Sequence, residues 1–303
     1  MRFATWTIVV GLLGATFTGV ASGQIHVALV AAAGTPQAND VIAKLTATGN
    51  YASVTYINAQ TVTPTLEQLQ GYNAVLCWSN NTFQNAEALG DVLADYTDWG
   101  GGVVVAVFAT STTTVGRSLG GRFRSGGYEI IPTQSGNTGG AASLGTILLP
   151  NHPTMNDVGT LIGGTTASRP TTTAVTSHGY KVALWSDGKT LVAASNLYPN
   201  RIDLGMYPPS RDGVSTSWDP ATDGAIILAN AINATLPPPP PPCDADINCD
   251  GAVNGIDVEV QELAVGGEMT DYCLPDADFN QDGAVNGTDV EAVELVVGGE
   301  PCP

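Results

Sequence analysis

Near its C-terminus the chain repeats itself. Asp246 to Glu268 reads DINCDGAVNGIDVEVQELAVGGE, and Asp278 to Glu300 reads DFNQDGAVNGTDVEAVELVVGGE. Seventeen of the 23 aligned positions are identical, at an offset of 32 residues. Each copy is a loop of Asp, Asn and Gly that leads into a segment of helical spacing. The spacing predicts helices over 256–265 and 288–297, ended by the Gly pairs 266–267 and 298–299.

The identities in the loops have a chemical reason. A calcium ion takes six to eight oxygen ligands, and a 12-residue loop supplies them from positions 1, 3, 5, 7, 9 and 12. In the first copy these are Asp246, Asn248, Asp250, the carbonyl of Ala252, Asn254 and Asp257. In the second they are Asp278, Asn280, Asp282, the carbonyl of Ala284, Asn286 and Asp289. Gly251 and Gly283 stand at position 6, where the chain must turn sharply. Two calcium ions are therefore expected. Without a cation, three carboxylates in each small loop would repel one another. At position 8, Val253 and Val285 are expected to meet in a short backbone contact or to point into the core.

Asp at position 12 departs from the usual EF-hand, which places Glu there, and a single helix follows each loop. Two such loop-helix units after a Pro-rich run resemble a type I dockerin over residues 243–303. The resemblance implies non-covalent docking on a cohesin-like or other surface protein, and such modules usually tether polysaccharide-degrading enzymes. In that family, positions 10 and 11 often hold Ser or Thr that contact cohesin. Here they are Gly255-Ile256 and Gly287-Thr288, so Thr288 alone fits, and the basic residues that often follow are absent.

Four of the five cysteines, Cys243, Cys249, Cys273 and Cys302, fall in this small region. A unit of that size has a thin core and needs staples, so two disulfides are expected. Four cysteines allow three pairings. Cys243 and Cys302 bracket the module, which favours pairing them and joining Cys249 to Cys273. Zinc is disfavoured, because the module has no Cys-x-x-Cys and no His.

Charge separates this region from the rest. Residues 243–303 carry 15 of the 28 acidic side chains and none of the 10 basic ones. A net charge of -18 excludes a nucleic-acid binder held by phosphate contacts, and disfavours docking on an anionic membrane. Pro237 to Pro242, six prolines, should form a polyproline II rod of roughly 19 Å at its rise of about 3.1 Å per residue. At the other end, Arg2, the apolar run Ile8 to Leu13 and the small residues Ala21-Ser22-Gly23 read as a secretory signal. The expected organisation is a signal peptide over 1–23, a body over 24–235, a linker over 236–242 and the module over 243–303. After signal removal no membrane insertion is expected, and the protein should be secreted or held at the cell surface, where disulfides persist.

The body alternates strand and helix signals. Near-continuous apolar runs at 25–33 and 102–108, with 54–58 and 74–78, read as strands, and 41–45 and 86–99 as helical. Strands at 182–185, 190–194 and 201–206, then a helix at 224–232, complete an expected α/β fold. That fold is an open, mostly parallel sheet with helices on both faces. The order, with the segments YNAVLCWSN, DWGGGVVVAVF, NHPTMNDV and WDPATDGAIILANAI, loosely resembles the class I glutamine amidotransferase-like fold, including ThuA-like proteins. Active members of that class carry a Cys nucleophile at a tight turn after a strand. Here the strand ending at Phe108 runs into Ala109-Thr110-Ser111-Thr112.

The remaining candidates for catalysis are weak. Cys77 lies late in an apolar strand and reads as a buried, unreactive thiol. Gly116-Arg117-Ser118-Leu119-Gly120 matches a nucleophile elbow in letters, but an elbow needs its Ser directly between strand and helix. Asp157 and His178 follow in the right order, with nothing to place them near Ser118. His26, His152 and His178 lack zinc spacing. Trp78, Trp99, Trp185, Trp218 and Tyr207 read as core, with a glycan-stacking platform as the other reading. The stretch Thr110 to Thr146, with Arg117, Arg122 and Arg124, reads as loop over the strand ends, where open α/β sheets bind ligands. The leading expectation is an exported, calcium-binding, tethered protein whose body binds, a glycan being one candidate ligand. The other is an extracellular polysaccharide-degrading hydrolase.

Overall fold

A computed structural model describes residues 25–237, 244–274 and 276–300, which form two compact units divided at Pro237. The expected signal peptide, Pro238 to Pro242 and the proposed Cys243–Cys302 pair lie outside the described residues.

The body runs β1 (His26–Ala32), α1 (Thr35–Ala47), β2 (Ser53–Asn58), α2 (Leu66–Leu69), β3 (Ala74–Ser79), α3 (Ala86–Trp99), β4 (Gly102–Ala106), α4 (Gly121–Ser125), β5 (Leu144–Ile147), β6 (Gly179–Trp185), β7 (Thr190–Ser195), β8 (Arg201–Leu204) and α5 (Gly224–Asn233). These strands form one sheet in the order β2-β1-β3-β4-β8-β7-β6-β5. The first five are parallel, with Val27 opposite Val54 and Ala74, and Val103 opposite Val75 and Arg201. The last three pairings are antiparallel. The α/β architecture expected from the apolar runs is present, with an antiparallel extension at one side.

Helices cover both faces, and this is why the central strands read as unbroken apolar runs. Alternate residues of β1 point to opposite faces. Val27, Leu29 and Ala31 pack with Val41 and Leu45 of α1 and with Ile227, Leu228 and Ile232 of α5. Ala28, Val30 and Ala32 face Leu69 of α2, Leu89 and Leu93 of α3, and Phe123 of α4. Local signals set the helix ends. The Asn85 side chain accepts the Ala88 N–H at the start of α3, and Gly100 takes φ +107° at its end, a backbone that favours glycine.

The structure differs from the sequence reading between β4 and β8. The stretch expected as loop contains α4 and the start of β5, and β4 and β8 stop two residues short of Phe108 and Met206. β5 pairs irregularly with β6 at the sheet edge and is only partly buried, so its hydrophobic signal is weak. β8 also carries a fully buried ion pair, Arg201 Nη2 to Asp203 Oδ1 at 2.6 Å. Arg201 donates further to the carbonyls of Tyr128 and Val103, and Asp203 Oδ2 accepts the N–H groups of Ile130 and Ile131. The pair thereby ties segment 128–131 to the sheet.

The C-terminal unit holds α6 (Gly255–Val265) and α7 (Gly287–Val297). Ala245, Ile247, Val260, Phe279, Ala292 and Val293 form its core. Both helices end in the same way: Gly267 N–H to Ala264 O with Glu268 N–H to Leu263 O, and Gly299 N–H to Val296 O with Glu300 N–H to Leu295 O. These are Schellman bonds, which satisfy the last carbonyls of each helix. Cys249 and Cys273 form a disulfide with Cα atoms 6.0 Å apart, the pairing favoured for them from sequence.

Candidate functional site

The two loops are built alike, bond for bond. Asp246 Oδ1 and Oδ2 accept the N–H groups of Asp250 and Gly251, at 3.0 and 2.9 Å. Asp278 does the same for Asp282 and Gly283, at 3.0 and 2.8 Å. Position 12 closes each loop on itself. Asp257 takes the N–H of Asn248 and of Asn254, and Asp289 takes those of Asn280 and Asn286. Asn254 and Asn286 cap the following helices, each accepting an N–H two residues on. The shorter Asp at position 12 thus doubles as the third residue of a capping box. Gly251 and Gly283 both have φ +91°, the left-handed backbone that only glycine enters freely.

This arrangement fits a hard cation. Every candidate donor is an oxygen, and half of each set are carboxylates already aimed by backbone N–H groups. Among the described residues no three His, Cys, Asp or Glu side chains gather into a metal group by themselves. The Asn side chains and the Ala252 and Ala284 carbonyls would have to share the coordination of any bound ion. Asn254 Nδ2 and Asn286 Nδ2 donate to those two carbonyls at 2.8 Å, which holds them against the loop. Bound calcium would supply charge neutralisation and crosslink the loop.

Val253 and Val285 do not enter the core; they are 48% and 44% exposed. Position 10 is Gly in both copies, and position 11 differs. Ile256 is 52% exposed and, with Val260, Tyr272 and Cys273, borders an open groove of about 460 Å³. Thr288 Oγ1 instead donates to Asp282 Oδ2 and accepts from Asn280 Nδ2, so its hydroxyl belongs to the loop.

In the body, the catalytic candidates do not assemble. Ser118 is buried, and no hydrogen bond joins it to His178 or Asp157 among the described residues. His152 bonds Thr154 and Tyr180, and burial holds its pKa below the usual histidine range. Trp78, Trp185 and Trp218 are buried, so they cannot form an open stacking platform, while Trp99 is partly exposed. Cys77 is fully buried on β3, and burial pushes its thiol pKa far up. Native protein should therefore resist iodoacetamide at Cys77 and react only after unfolding. Rapid labelling of the folded chain, read by peptide mass, would contradict that.

Of the loop arginines singled out, Arg122 pairs with Asp95 and Asp98 of α3, and Arg124 lies 3.6 Å from Glu129. Arg117 stacks on Phe108, its guanidinium carbon 3.8 Å from the ring centre.

No curated protein matches the chain. A cytoplasmic protein from Salmonella typhimurium is 11% identical, with 68% of this chain and 97% of that one covered at a TM-score of 0.50. A ThuA-like protein from Bacteroides uniformis is 13% identical, with 74% and 95% covered, also at 0.50. A glutamine amidotransferase from Thermotoga maritima is 9% identical, with 63% and 80% covered at 0.39, too distant to bear on the argument. These likenesses concern the fold of the body alone. No helix among the described residues is long and apolar enough to cross a membrane. Residues 244–295, which hold both loops, α6 and most of α7, match the family model of the dockerin type I domain.

Proposed function

We propose that this is an exported protein held through residues 243–303 on a cohesin-type or other surface partner, with two calcium ions shaping the docking face and the α/β body serving as a binding unit. The observation that carries the reading is the dockerin match over two loops whose carboxylates are aimed by the same backbone bonds. The metal ligands are proposed as Asp246, Asn248, Asp250, Ala252, Asn254 and Asp257 in the first loop. In the second they are Asp278, Asn280, Asp282, Ala284, Asn286 and Asp289.

The test is binding of the full chain to immobilised type I cohesins and to a native cell-surface fraction, with calcium and with EDTA. Binding should require calcium, because an interface built on a loosened loop also bears its ordering cost. Ile256, apolar and exposed at position 11, serves as a hydrophobic anchor beside the groove. Ile256→Asp should weaken partner binding by about tenfold or more, the effect of losing a well-packed contact. Its melt and calcium affinity should stay unchanged. Thr288→Asp should weaken partner binding less and should disturb the second calcium site, because that hydroxyl is bound to Asp282 and Asn280. Calcium-independent capture, or a collapsed melt for Ile256→Asp, would count against this reading.

A further inference from the structure

The open groove beside the first loop has two chemically different sides. One is apolar: Ile256, half exposed, and Val260 one turn along α6. The other is segment 270–273, with Thr270, Asp271, Tyr272 and Cys273. That side is held in place. Cys273 is bonded to Cys249 and its N–H donates to Ile247 O, while the Tyr272 hydroxyl donates to Asp276 O at 2.9 Å. A wall fixed before a partner arrives lowers the ordering cost of binding. At about 460 Å³ the groove has room for a side chain and part of the main chain that carries it. The second copy does not repeat the apolar side, because Thr288 stands where Ile256 does and Ala292 where Val260 does.

The two carboxylates along the groove are not alike. Asp250 accepts the Ala252 N–H and an N–H of the Asn248 side chain, which commits it to the loop. Asp271 is exposed and accepts no hydrogen bond from another described residue. No Lys or Arg lies within 243–303 to pair with it. That region has 15 acidic side chains, and two calcium ions would offset only four of those charges. A field of one sign draws in partners of the other and repels its own. The cation that fits here is arginine. Its planar guanidinium stacks on an aromatic ring and pairs with a carboxylate, and Tyr272 and Asp271 offer both in adjacent positions. Ile256 and Val260, on the other side, match an apolar neighbour of that arginine.

We propose that this groove docks a partner protein through an arginine set beside an apolar side chain. The guanidinium lies at Asp271 and Tyr272, and the apolar group at Ile256 and Val260. The proposal rests on the reading that residues 243–303 dock on a surface partner, and it names the chemistry of that partner's contact.

The test titrates the full chain, isotopically labelled for NMR and in calcium buffer, with three capped tetrapeptides. Their sequence is Ala-X-Leu-Ala, in which X is arginine, citrulline or lysine. The arginine peptide should shift the amide signals of Ile256, Val260 and 270–273. Citrulline has the same shape without the charge and should bind about fivefold more weakly, the upper end for an exposed ion pair. Asp271→Asn should weaken the arginine peptide by about the same factor. Tyr272→Leu removes the ring and should cost about two- to fivefold, as should lysine in place of arginine. Because Asp271 is exposed, Asp271→Asn should keep the wild-type melt and calcium stoichiometry. It should also weaken capture by the surface partner, and raised salt should act in the same direction. If cohesins fail to capture the chain while the arginine peptide still binds at the groove, cohesin docking falls and the groove's ligand stands. The proposal itself is overturned if the shifts fall elsewhere or if citrulline or lysine binds as tightly as arginine. It is equally overturned if Asp271→Asn leaves peptide binding or partner capture unchanged.

Discussion

Asp203→Ala should cost the body about 3–5 kcal/mol, the range measured when one partner of a buried pair is removed. The variant leaves Arg201, fully buried, with only carbonyl acceptors. It also strips the Ile130 and Ile131 N–H groups of the oxygen they share. A buried polar group left unsatisfied costs about 1–3 kcal/mol by itself, so the two effects point the same way. Asp203→Asn keeps an oxygen for those N–H groups and loses only the charge, so it should fall between wild type and Asp203→Ala. Urea unfolding followed by tryptophan fluorescence reads the body alone, because no Trp lies in residues 243–303. A loss below about 1 kcal/mol would put this pair in the class of exposed salt bridges and overturn the argument.

That pair was half legible. In Arg201-Ile202-Asp203-Leu204 the alternation of a strand puts the charges on one face. What the alternation cannot show is that segment 128–131 lies over them. The central strands were legible because both their faces are buried, so every position had to be apolar. The antiparallel turn of the sheet also had a signal: Asp187-Gly188 stands between the apolar runs of β6 and β7, a hairpin pattern. β5 had almost none, since LGTI at a half-buried edge needs little hydrophobicity. The repeated Asp, Asn and Gly loops were the clearest feature, and they lie within the dockerin match, because a cation loop demands particular residue types at fixed spacing. Arg117 shows the opposite limit. Its letters sit in a chance-like Gly-x-Ser-x-Gly, and only the fold reveals that the other described arginines have carboxylates and it has none.

Chelation should act on the C-terminal unit and leave the body untouched. At calcium a thousandfold above its dissociation constant, each bound ion stabilises the folded loop by about 4 kcal/mol. The core under the loops is small, six buried apolar residues, so it has little reserve against that loss. EDTA should therefore speed amide exchange across 244–300 while the tryptophan-detected melt of the body holds still. Calorimetry should count two ions in the wild type, and one after Asp250→Ala or Asp282→Ala. The two loops should not loosen equally. Cys249, at position 4 of the first loop, is bonded to Cys273, whose N–H also donates to Ile247 O. Gln281 holds the same place in the second loop, with the same φ of 57° and no covalent tie. On chelation, exchange should rise more over 278–289 than over 246–257. Reducing the disulfide in EDTA should remove the difference, because the constraint on the first loop is then gone. Exchange that ignores EDTA in both loops would mean the backbone bonds to Asp246 and Asp278 suffice to hold them, and the metal would be dispensable for the fold.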